Sequence, residues 1–415
     1  SIRTIFDPLR KMGAMASKML ISDAAKHWEV GYHSSKAEKH HVDNHQPGER
    51  LFFGDLVEAA AQQLAPENPT FKNRKDFNYI GKELPSIDID DFTSGKAIYG
   101  MDVKIPGMKY ATVARCPVTF GTVRSFDATD TEKLPGIAKV LEIQRVEKPF
   151  GHLGGIAVIA DNSWSALKGK EALKIDWDFG DNGSYDTEAY METLKENVTK
   201  KGKLIQEKGD IEQAFQQADK IREAIYELPH LVHAPMEAPN ATARFENGIC
   251  EIWAPVQAPQ VTRKEVSELL EIDLENVTIH VTLLGGGFGR KSKPDFVLEA
   301  AWLAKETGAP VQVIWSREDD IRHSYYHAIS AQYLKGGLTR DGSVNAWLHR
   351  TAYPSITSTF MPGVVHAAGF EFQQGMTNLP YEIENQRFEN GEAPAHVRIG
   401  WFRSVYNIIH GVSVN

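Results

Sequence analysis

The sequence predicts an α+β protein, because segments with helical spacing of apolar residues alternate with short segments typical of strands. Residues 1 to about 65 contain two stretches with helical spacing. From Gly95 onward the pattern changes to short alternating segments separated by proline and glycine, and after Lys220 strands and helices are mixed. No repeat of fixed period is apparent, which disfavours a repeat architecture.

The composition limits the classes of function. The chain has 415 residues, 42% of them apolar, which is sufficient for more than one hydrophobic core. Its 55 acidic and 46 basic residues give a formal net charge of −9, which disfavours nucleic acid and anionic membranes as main partners. Cys116 and Cys250 are too few for a disulfide framework, so we expect both to be buried apolar residues. The sequence by itself indicates no compartment.

Residues 1–85 are predicted to be mainly helical. The stretch DPLRKMGAMASKMLISDAAKHW carries apolar residues at helical spacing, and we expect its helix to begin at Asp7 and Pro8. FGDLVEAAAQQL has the same spacing and ends before Pro66, since proline stops a helix. These two helices account for both ends of the first 65 or so residues.

A polar stretch between these helices contains His40, His41 and His45. His41 and His45 have a spacing that could bind a metal if both lay on one face of a helix. The asparagine, proline and glycine around His45 favour a loop instead. We therefore interpret the stretch as a solvated loop and not as a metal site.

Residues 90–180 are predicted to form an α+β module. KYATVARC, GIAKVLEI, GIAVIAD and LKIDWD are typical of strands, and NSWSALKGKEAL is typical of a helix that begins at Asn162 or Ser163. Residues 181–205 are charged and poor in large apolar side chains, so we interpret them as a linker on the outside of the protein. Residues 206–415 return to strands and helices and form the last predicted domain.

The stretch LLGGGFGRKSKPD, from Leu283 to Asp295, is the strongest candidate for a binding site. It joins the β-branched segment VTIHVTLL to the apolar helix FVLEAAWLAKETG, and backbone N–H groups at the start of a helix attract anions. Two known phosphate loops fail at Arg290, which stands where each of their patterns needs a glycine. Phe288 inside the glycine run favours a site for a flat ligand over a simple tight turn.

Two other segments carry side chains suited to a ligand. WAPVQAPQ contains Gln257, whose amide could bind a ligand oxygen or satisfy the backbone of its own loop. GWFRSVYN contains Phe402 and Arg403, which suit a planar anionic group, although an ordinary surface arginine is an equal alternative. The residues alone leave both alternatives open.

The stretch HLVHAPMEAPNA contains residue types that bind metals, namely His230, His233 and Glu237. Histidines that are buried or lie in loops outnumber those that bind metals, so we favour a role without a metal. A metal held by protein side chains is therefore not expected here.

Taken together, these segments resemble the molybdenum hydroxylases of the xanthine dehydrogenase and aldehyde oxidoreductase type, above all the large subunit of isoquinoline 1-oxidoreductase-like enzymes. The similar segments appear in the family's order: GKAIYGMDVKIPGMKYATVAR, IAVIADNSWSALKGKEALKIDWD, LPHLVHAPMEAPNATA, WAPVQAPQ, VTLLGGGFGRKSKPDFVLEAAWLAK, VQVIWSREDD and GWFRSVYN. The resemblance covers essentially the whole chain, and GGGFGR in this company is specific.

The resemblance implies an α/β hammerhead module for residues 90–180 and parts of a molybdopterin-binding domain for residues 1–85 and 206–415. It also implies a molybdopterin cofactor with molybdenum, in bacterial members usually the cytosine dinucleotide, held without a protein ligand to the metal. A small [2Fe–2S] subunit would carry the iron–sulfur clusters, and further large-subunit segments or chains would complete the cofactor cradle. The bacterial cytoplasm or periplasm would be the location.

Matching positions indicate the site residues that the resemblance implies. Gln257 and Phe288 would act in catalysis, Gln257 by facing an oxygen on molybdenum. The glycines would let backbone amides reach the cofactor, and Phe288 would shape the pocket beside it. The cofactor would also contact the other residues of the two matching motifs: Gly286, Gly287, Gly289, Arg290, Phe402 and Arg403.

The implied reaction hydroxylates a carbon beside a ring nitrogen, or an aldehyde carbon, of a small-molecule substrate. Ser292 stands where some purine-oxidising relatives have a glutamate, so purines are disfavoured. The family's general-base glutamate belongs to a segment beyond Asn415, so we assign no base and expect residues 1–415 alone to be inactive. The alternative is a non-catalytic scaffold or docking subunit completed by separate chains, and the same motifs would be present in either case.

Overall fold

The computed structural model describes residues 2–44 and 48–415, so His45 lies outside the described residues. The chain divides into two compact units, Ser1–Gly95 and Lys96–Asn415. Both units contain helices and strands, which confirms the predicted mixture of helix and sheet. Among the helices of the described ranges, none has the length and apolar character that crossing a bilayer requires.

The first unit contains helices and a small antiparallel sheet. In chain order its elements are α1 (Ile2–His27), β1 (Ser35–Glu38), β2 (His41–Asn44), β3 (Arg50–Phe52), α2 (Phe53–Ala61) and α3 (Ile89–Ser94). Ala24, Val42 and Leu56 form its buried core. Both predicted helices are confirmed, but α1 begins before Asp7 and contains Pro8, since this 26-residue helix can lose one backbone hydrogen bond at the proline and continue.

The polar stretch around His40 and His41 is not the solvated loop that we expected. His41 lies in β2 and is buried, and its ring nitrogens lie 2.9 Å from the backbone oxygen of Lys39 and 3.0 Å from Asp43 Oδ2. Lys39 and His40 form the tight turn into β2 with φ values of 47° and 68°, a shape that composition does not indicate. In the described residues, no group of three or more histidine, cysteine, aspartate or glutamate side chains could hold a metal.

The second unit mixes strands and helices along the chain. Its strands are β4 (Lys109–Ala114), β5 (Thr122–Asp127), β6 (Ile137–Ile143), β7 (Gly155–Ala160), β8 (Lys174–Asp178), β9 (Lys203–Lys208), β10 (Lys220–Leu228), β11 (Asn240–Glu246), β12 (Ile249–Ala254), β13 (Val277–Val281), β14 (Val311–Ile314), β15 (Ser330–Leu338), β16 (Val344–Ala352) and β17 (Asn385–Asn390). Its helices are α4 (Thr129–Glu132), α5 (Ser163–Ala172), α6 (Thr187–Thr199), α7 (Ile211–Gln217), α8 (Pro259–Leu270), α9 (Asp295–Thr307), α10 (Arg317–Arg322), α11 (Gly369–Phe372) and α12 (Asn407–Val414).

The strands and the helix predicted within residues 90–180 are confirmed as β4, β6, β7, β8 and α5. The side chain of Asn162 caps α5 as expected, because its Oδ1 accepts a hydrogen bond from the N–H of Ser165 at 2.8 Å. Three of these strands join strands from later in the chain, in the order β13-β12-β11-β14-β4-β7-β6. Residues 90–180 and 206–415 therefore share one seven-stranded sheet.

This sheet carries the largest hydrophobic core of the protein, together with α8 and α9. Helix α9 is buried around its circumference, since Phe296, Val297 and Leu298 occupy successive positions and are all buried. Cys250 belongs to the same core, and Cys116 is also buried, so the prediction for both cysteines is confirmed. The rigid packing of α9 fixes the position of the glycine loop that precedes it.

A five-stranded sheet, in the order β10-β15-β16-β17-β9, packs against α6. Helix α6 lies in residues 181–205, and the expectation of an outer linker is wrong for it, because Tyr190, Leu194 and Val198 are buried in a core with residues of this sheet. These three side chains recur at intervals of four residues on one face of the helix. A single apolar stripe is enough to bury a helix whose other positions are charged.

Candidate functional site

The glycine loop joins β13 to α9, as the sequence predicted. Gly286 and Gly289 have φ values of 90° and 104°, which residues with a Cβ rarely adopt. Phe288 lies between them with a φ of 52°. Left-handed backbone at a bulky residue is strained by about 1–3 kcal/mol, and strain of this kind clusters at functional sites.

Two glycines of the loop are required because other parts of the chain come very close. A Cβ on Gly287 would lie 2.5 Å from Oε1 of Gln257, and a Cβ on Gly289 would overlap the backbone oxygen of Trp401. A side chain at Gly289 would push the Trp401 backbone away, and a side chain at Gly287 would displace the side chain of Gln257. The loop therefore touches both the Gln257 segment and the segment that leads into Phe402.

The loop presents backbone hydrogen-bond donors that the protein does not use. Within the described residues, the N–H groups of Gly286, Gly287 and Phe288 donate to no protein acceptor. The N–H of Gly289 donates to Gln257 Oε1 at 3.0 Å, which leaves the NH2 group of this exposed amide available as a further donor. Consecutive backbone donors with a side-chain amide beside them suit the oxygen atoms of an anionic or strongly polar ligand.

One carboxylate fixes both ends of the loop. Glu237 accepts hydrogen bonds from the N–H groups of Gly285 at 3.0 Å and Met101 at 3.2 Å, and its Oε2 lies 2.6 Å from Lys291 Nζ. Burial raises the pKa of Glu237, but the Lys291 ammonium and the Gly285 N–H hold it below its usual range. Burial lowers the pKa of Lys291, although the Glu237 carboxylate raises it. The short contact and the additional donors to the carboxylate favour the ionised pair.

Arg290, which we expected to contact the cofactor, does not present its side chain to a ligand. It is fully buried and donates two hydrogen bonds to Asp295, at 2.8 and 3.0 Å. Arg398 donates a third to the same carboxylate at 3.0 Å. Burial raises the pKa of Asp295, but the two guanidinium groups hold it below its usual range. Arg290 is therefore part of a buried charge network that supports the loop from the core.

Phe402 packs on His233, with ring centroids 5.0 Å apart. Arg403 is exposed, and its side chain has no hydrogen bond or ion pair with any other residue that the structure describes. Ser404 and Val405 follow with φ values of 73° and 48°. Left-handed backbone at two successive residues that are not glycine marks a second strained turn beside the glycine loop.

The candidate metal ligands His230 and His233 contact other protein groups. His230 Nε2 lies 3.2 Å from the hydroxyl of Tyr185, and His233 Nε2 lies 2.7 Å from the backbone oxygen of Trp401. Burial lowers the pKa of each histidine to about 4, so both rings are neutral at pH 7. A neutral His233 that carries its proton on Nε2 donates to the Trp401 carbonyl and so supports the Phe402 segment.

Seven of the eight predicted site residues lie in segments that contact one another. The side chain of the eighth, Arg290, faces the core. The residues in contacting segments are Gln257, Gly286, Gly287, Phe288, Gly289, Phe402 and Arg403. The sequence did not reveal that Glu237 anchors the loop. It also did not reveal that Lys293 Nζ lies 3.0 Å from the ring centroid of Trp401. The position of Trp401 directly before Phe402 was a usable signal, whereas the partner of Glu237 depends on the fold.

A cavity of about 820 Å³ adjoins this region. Phe360, which lines it, packs on Trp401 with ring centroids 5.9 Å apart, and Tyr325 forms another part of its wall. His152 also lines the cavity; it is 2% exposed, and neither ring nitrogen has a partner in the described part of the chain. Burial lowers the pKa of His152 to about 4. The cavity combines aromatic walls, a buried neutral imidazole and charged side chains, among them Arg145, Lys148 and Arg398.

Residues 191–393 match the family model of the molybdopterin cofactor-binding domain. This range contains Gln257, Glu237 and the whole glycine loop. The similar proteins include a subunit of isoquinoline 1-oxidoreductase and a subunit of nicotinate dehydrogenase, and the similar solved structures include a Cu,Mo-containing CO dehydrogenase. The resemblance to molybdenum hydroxylases that the motifs predicted is confirmed by this match and by these similarities.

Two relatives have names that contain different substrates. The chain is 27% identical to isoquinoline 1-oxidoreductase subunit beta of Brevundimonas diminuta, over 87% of this chain and 51% of that protein. It is 26% identical to a membrane-bound aldehyde dehydrogenase (pyrroloquinoline-quinone) of Gluconacetobacter polyoxogenes, over 98% of this chain and 54% of that protein. The chain spans about half the length of these relatives.

The fold is similar to that of a solved structure, the aldehyde oxidoreductase from Desulfovibrio gigas. The TM-score is 0.61 at 16% sequence identity, over 78% of this chain and 39% of that chain. At this level of identity the similarity concerns the fold alone. It agrees with the mixed arrangement of helix and sheet in the second unit.

Proposed function

We propose that this chain is the molybdopterin-binding part of a molybdenum-dependent hydroxylase that oxidises an N-heteroaromatic compound or an aldehyde. The observation that carries the proposal is the set of unused donors at the glycine loop, formed by three consecutive backbone N–H groups and the amide of Gln257. These donors lie inside the range that matches the cofactor-binding family. The names of two relatives support both substrate classes.

The residues at the loop fit such a cofactor. A Cβ on Gly287 would fill the space beside Gln257, so the glycine keeps the loop amides accessible. Gln257 and the N–H groups of Gly286, Gly287 and Phe288 would hold the group, and the Phe288 ring, which is 43% exposed, would form one wall. When bound, the cofactor supplies the two-electron redox chemistry, while the protein binds and orients the substrate and excludes water.

The proposal extends to the parts that the resemblance implies. The cofactor would be the molybdopterin cytosine dinucleotide, and electrons would pass to iron–sulfur clusters on a small [2Fe–2S] partner subunit. Residues 90–180 would be the hammerhead module, and residues 1–85 and 206–415 would belong to the molybdopterin-binding body. The order of the similar motifs along the chain supports these assignments.

The cavity lined by His152, Tyr325 and Phe360 is the proposed substrate site. Aromatic walls suit a flat ring, and the buried His152 adds a neutral imidazole to the lining. Since the pKa of His152 is about 4, the ring keeps this neutral form at pH 7. The aromatic walls favour a flat ring such as an N-heteroaromatic one.

Native mass spectrometry with metal analysis, on the protein purified together with its partner chains, tests the proposal. We expect a mass accounted for by the chains plus a molybdopterin dinucleotide, with molybdenum present. An assembled complex that contains neither pterin nor molybdenum would overturn the proposal and support the alternative of a non-catalytic scaffold or docking subunit. Oxidation rates with isoquinoline and with an aldehyde then decide between the two substrate classes.

A further inference from the structure

Lys293 is a fully buried amine with no hydrogen-bond partner among the described residues. Its Nζ lies 3.0 Å from the ring centroid of Trp401. Three further rings surround it at 4.8 to 5.8 Å, those of Phe150, Tyr325 and Phe360. We call these four rings the aromatic cage. A lysine side chain is almost never fully buried unless it is paired, so the burial of Lys293 in this cage needs an explanation.

Trp401 connects the cage to both segments of the candidate site. Its ring contacts Lys293, which follows the glycine loop, and its backbone oxygen accepts a hydrogen bond from His233 Nε2 at 2.7 Å. The same oxygen lies so close to Gly289 that a Cβ there would overlap it. Phe402 is the next residue along the chain. The position of Trp401 therefore determines where Phe402 lies relative to the loop.

We propose that Lys293 is a positioning residue that clamps Trp401, and with it Phe402 and Arg403, against the glycine loop, and that the clamp loosens when the amine gains a proton. The neutral amine fills the aromatic cage without a desolvated charge. The protonated amine keeps only cation–π attraction, which replaces part of the hydration that an ammonium has in water. Protonation therefore favours a state in which Lys293 leaves the cage and Trp401 is released.

The charged groups around Lys293 strengthen this effect. Arg290 repels the ammonium, and Asp295, which would attract it, is already shared by two arginines. His233 is neutral, with a pKa lowered by burial to about 4, and burial raises the pKa of Tyr325 to about 12, so neither adds a charge near pH 7. Burial first, and then Arg290, lower the pKa of Lys293 from 10.5 to about 7.

The direction of the pH dependence follows from the two pKa values of Lys293, 10.5 in water and about 7 in the cage. A Lys293 side chain released into water binds a proton between pH 7 and 10.5 that the caged side chain does not bind. The free energy of opening the clamp therefore rises with pH across this window and is constant below it. The clamp is tightest in alkaline solution and loosest below pH 7.

Hydrogen exchange of the Gly400 and Val405 amides, which donate to the backbone oxygens of Tyr326 at 2.9 Å and Phe402 at 2.7 Å, tests the clamp when it is measured on the full chain. In the wild type we expect protection factors at pH 7 to be lower than at pH 9 by on the order of tenfold or more. Lys293→Met fills the cage with a side chain that does not titrate, so its protection should be high and equal at both pH values. Lys293→Arg carries a permanent charge and should show low protection at both.

Lys305→Met is the matched control, because Lys305 lies on α9 and donates to the backbone oxygen of Leu270 at 3.0 Å. This variant should keep the wild-type pH dependence at the Gly400 and Val405 amides. The proposal is overturned if Lys293→Met retains that dependence or if Lys293→Arg is protected as well as Lys293→Met. If Lys293→Arg does not fold, the comparison of the wild type with Lys293→Met still decides. None of these readouts requires a cofactor, so a failure of the proposed function would leave them unchanged.

Discussion

Glu237 and Lys291 form a buried ion pair that fixes both ends of the glycine loop, with Oε2 and Nζ 2.6 Å apart and side chains 7% and 0% exposed. Lys168 and Glu171 form a pair of the same length at the surface, with side chains 44% and 62% exposed. Removing one partner of a buried pair leaves an uncompensated charge, whereas an exposed pair contributes little. The two pairs differ in burial and not in distance.

We expect Glu237→Gln to lower the free energy of unfolding by about 3–5 kcal/mol, because Lys291 would remain buried without a carboxylate. Glu171→Gln, the matched control, should lower it by less than about 1 kcal/mol. Urea unfolding of both variants measures the difference. Equal effects at the two positions would show that the Glu237 carboxylate does not anchor the loop.

Gln257→Ala should lower the turnover of the complete, cofactor-loaded enzyme by about 10²- to 10³-fold, the effect of losing one donor to developing charge. Its stability should fall by only about 1 kcal/mol, since a single neutral hydrogen bond to Gly289 is lost. Gln260→Ala is the control, because Gln260 is an exposed residue in the first turn of α8. If kcat of the two variants is equal, Gln257 has no part in the site.

Local structure around the site was predictable because spacing and caps act over a few residues. The β-branched run before the loop forms β13, and Gly308 ends α9 in a left-handed conformation with a φ of 65°. The same local rules placed the glycine loop between them. They did not show which side of the loop faces the core, so Arg290 was assigned to the ligand side although it is buried against Asp295.

Pairings between distant segments were not predictable from the sequence. The partner of Glu237 is Lys291, and nothing in either local segment indicates the other. The aromatic cage of Lys293 draws rings from several separate segments, so it exists only in the folded chain. Helix α6 shows a related difficulty, because its charged majority concealed the apolar stripe that buries Tyr190 and Leu194.

Gly289→Ala tests whether the glycine loop needs a glycine where it approaches the Trp401 backbone. Gly308→Ala, at a glycine that faces open space, is the comparison. At Gly308 a φ of 65° lies in the left-handed region, where alanine is disfavoured by about 1–2 kcal/mol, whereas 104° at Gly289 lies outside that region and disfavours alanine further. At Gly289 the new Cβ would also overlap the Trp401 carbonyl, whereas at Gly308 it would meet open space. We expect Gly289→Ala to be destabilised by about 1–3 kcal/mol more than Gly308→Ala and to lose bound molybdenum. Equal stability and equal metal content in the two variants would contradict the close approach.

His152 determines part of the acid sensitivity of the second unit. Burial lowers its pKa from 6.5 to about 4, and neither ring nitrogen has a partner in the described ranges. Between pH 6.5 and 4 the unfolded chain binds a proton at this residue that the folded chain does not bind. The free energy of unfolding therefore falls as the pH drops through this window, and this contribution is constant above it.

His152→Leu removes that contribution and sacrifices no hydrogen bond to the protein. At pH 5 the variant should be more stable relative to the wild type than at pH 8, by about 2 kcal/mol. Urea unfolding of both proteins at the two pH values measures this difference, and the other buried histidines cancel because both proteins contain them. A difference that is the same at pH 5 and pH 8 would mean that folding does not lower the pKa of His152, so that the buried side chain accepts a proton as readily as in the unfolded chain.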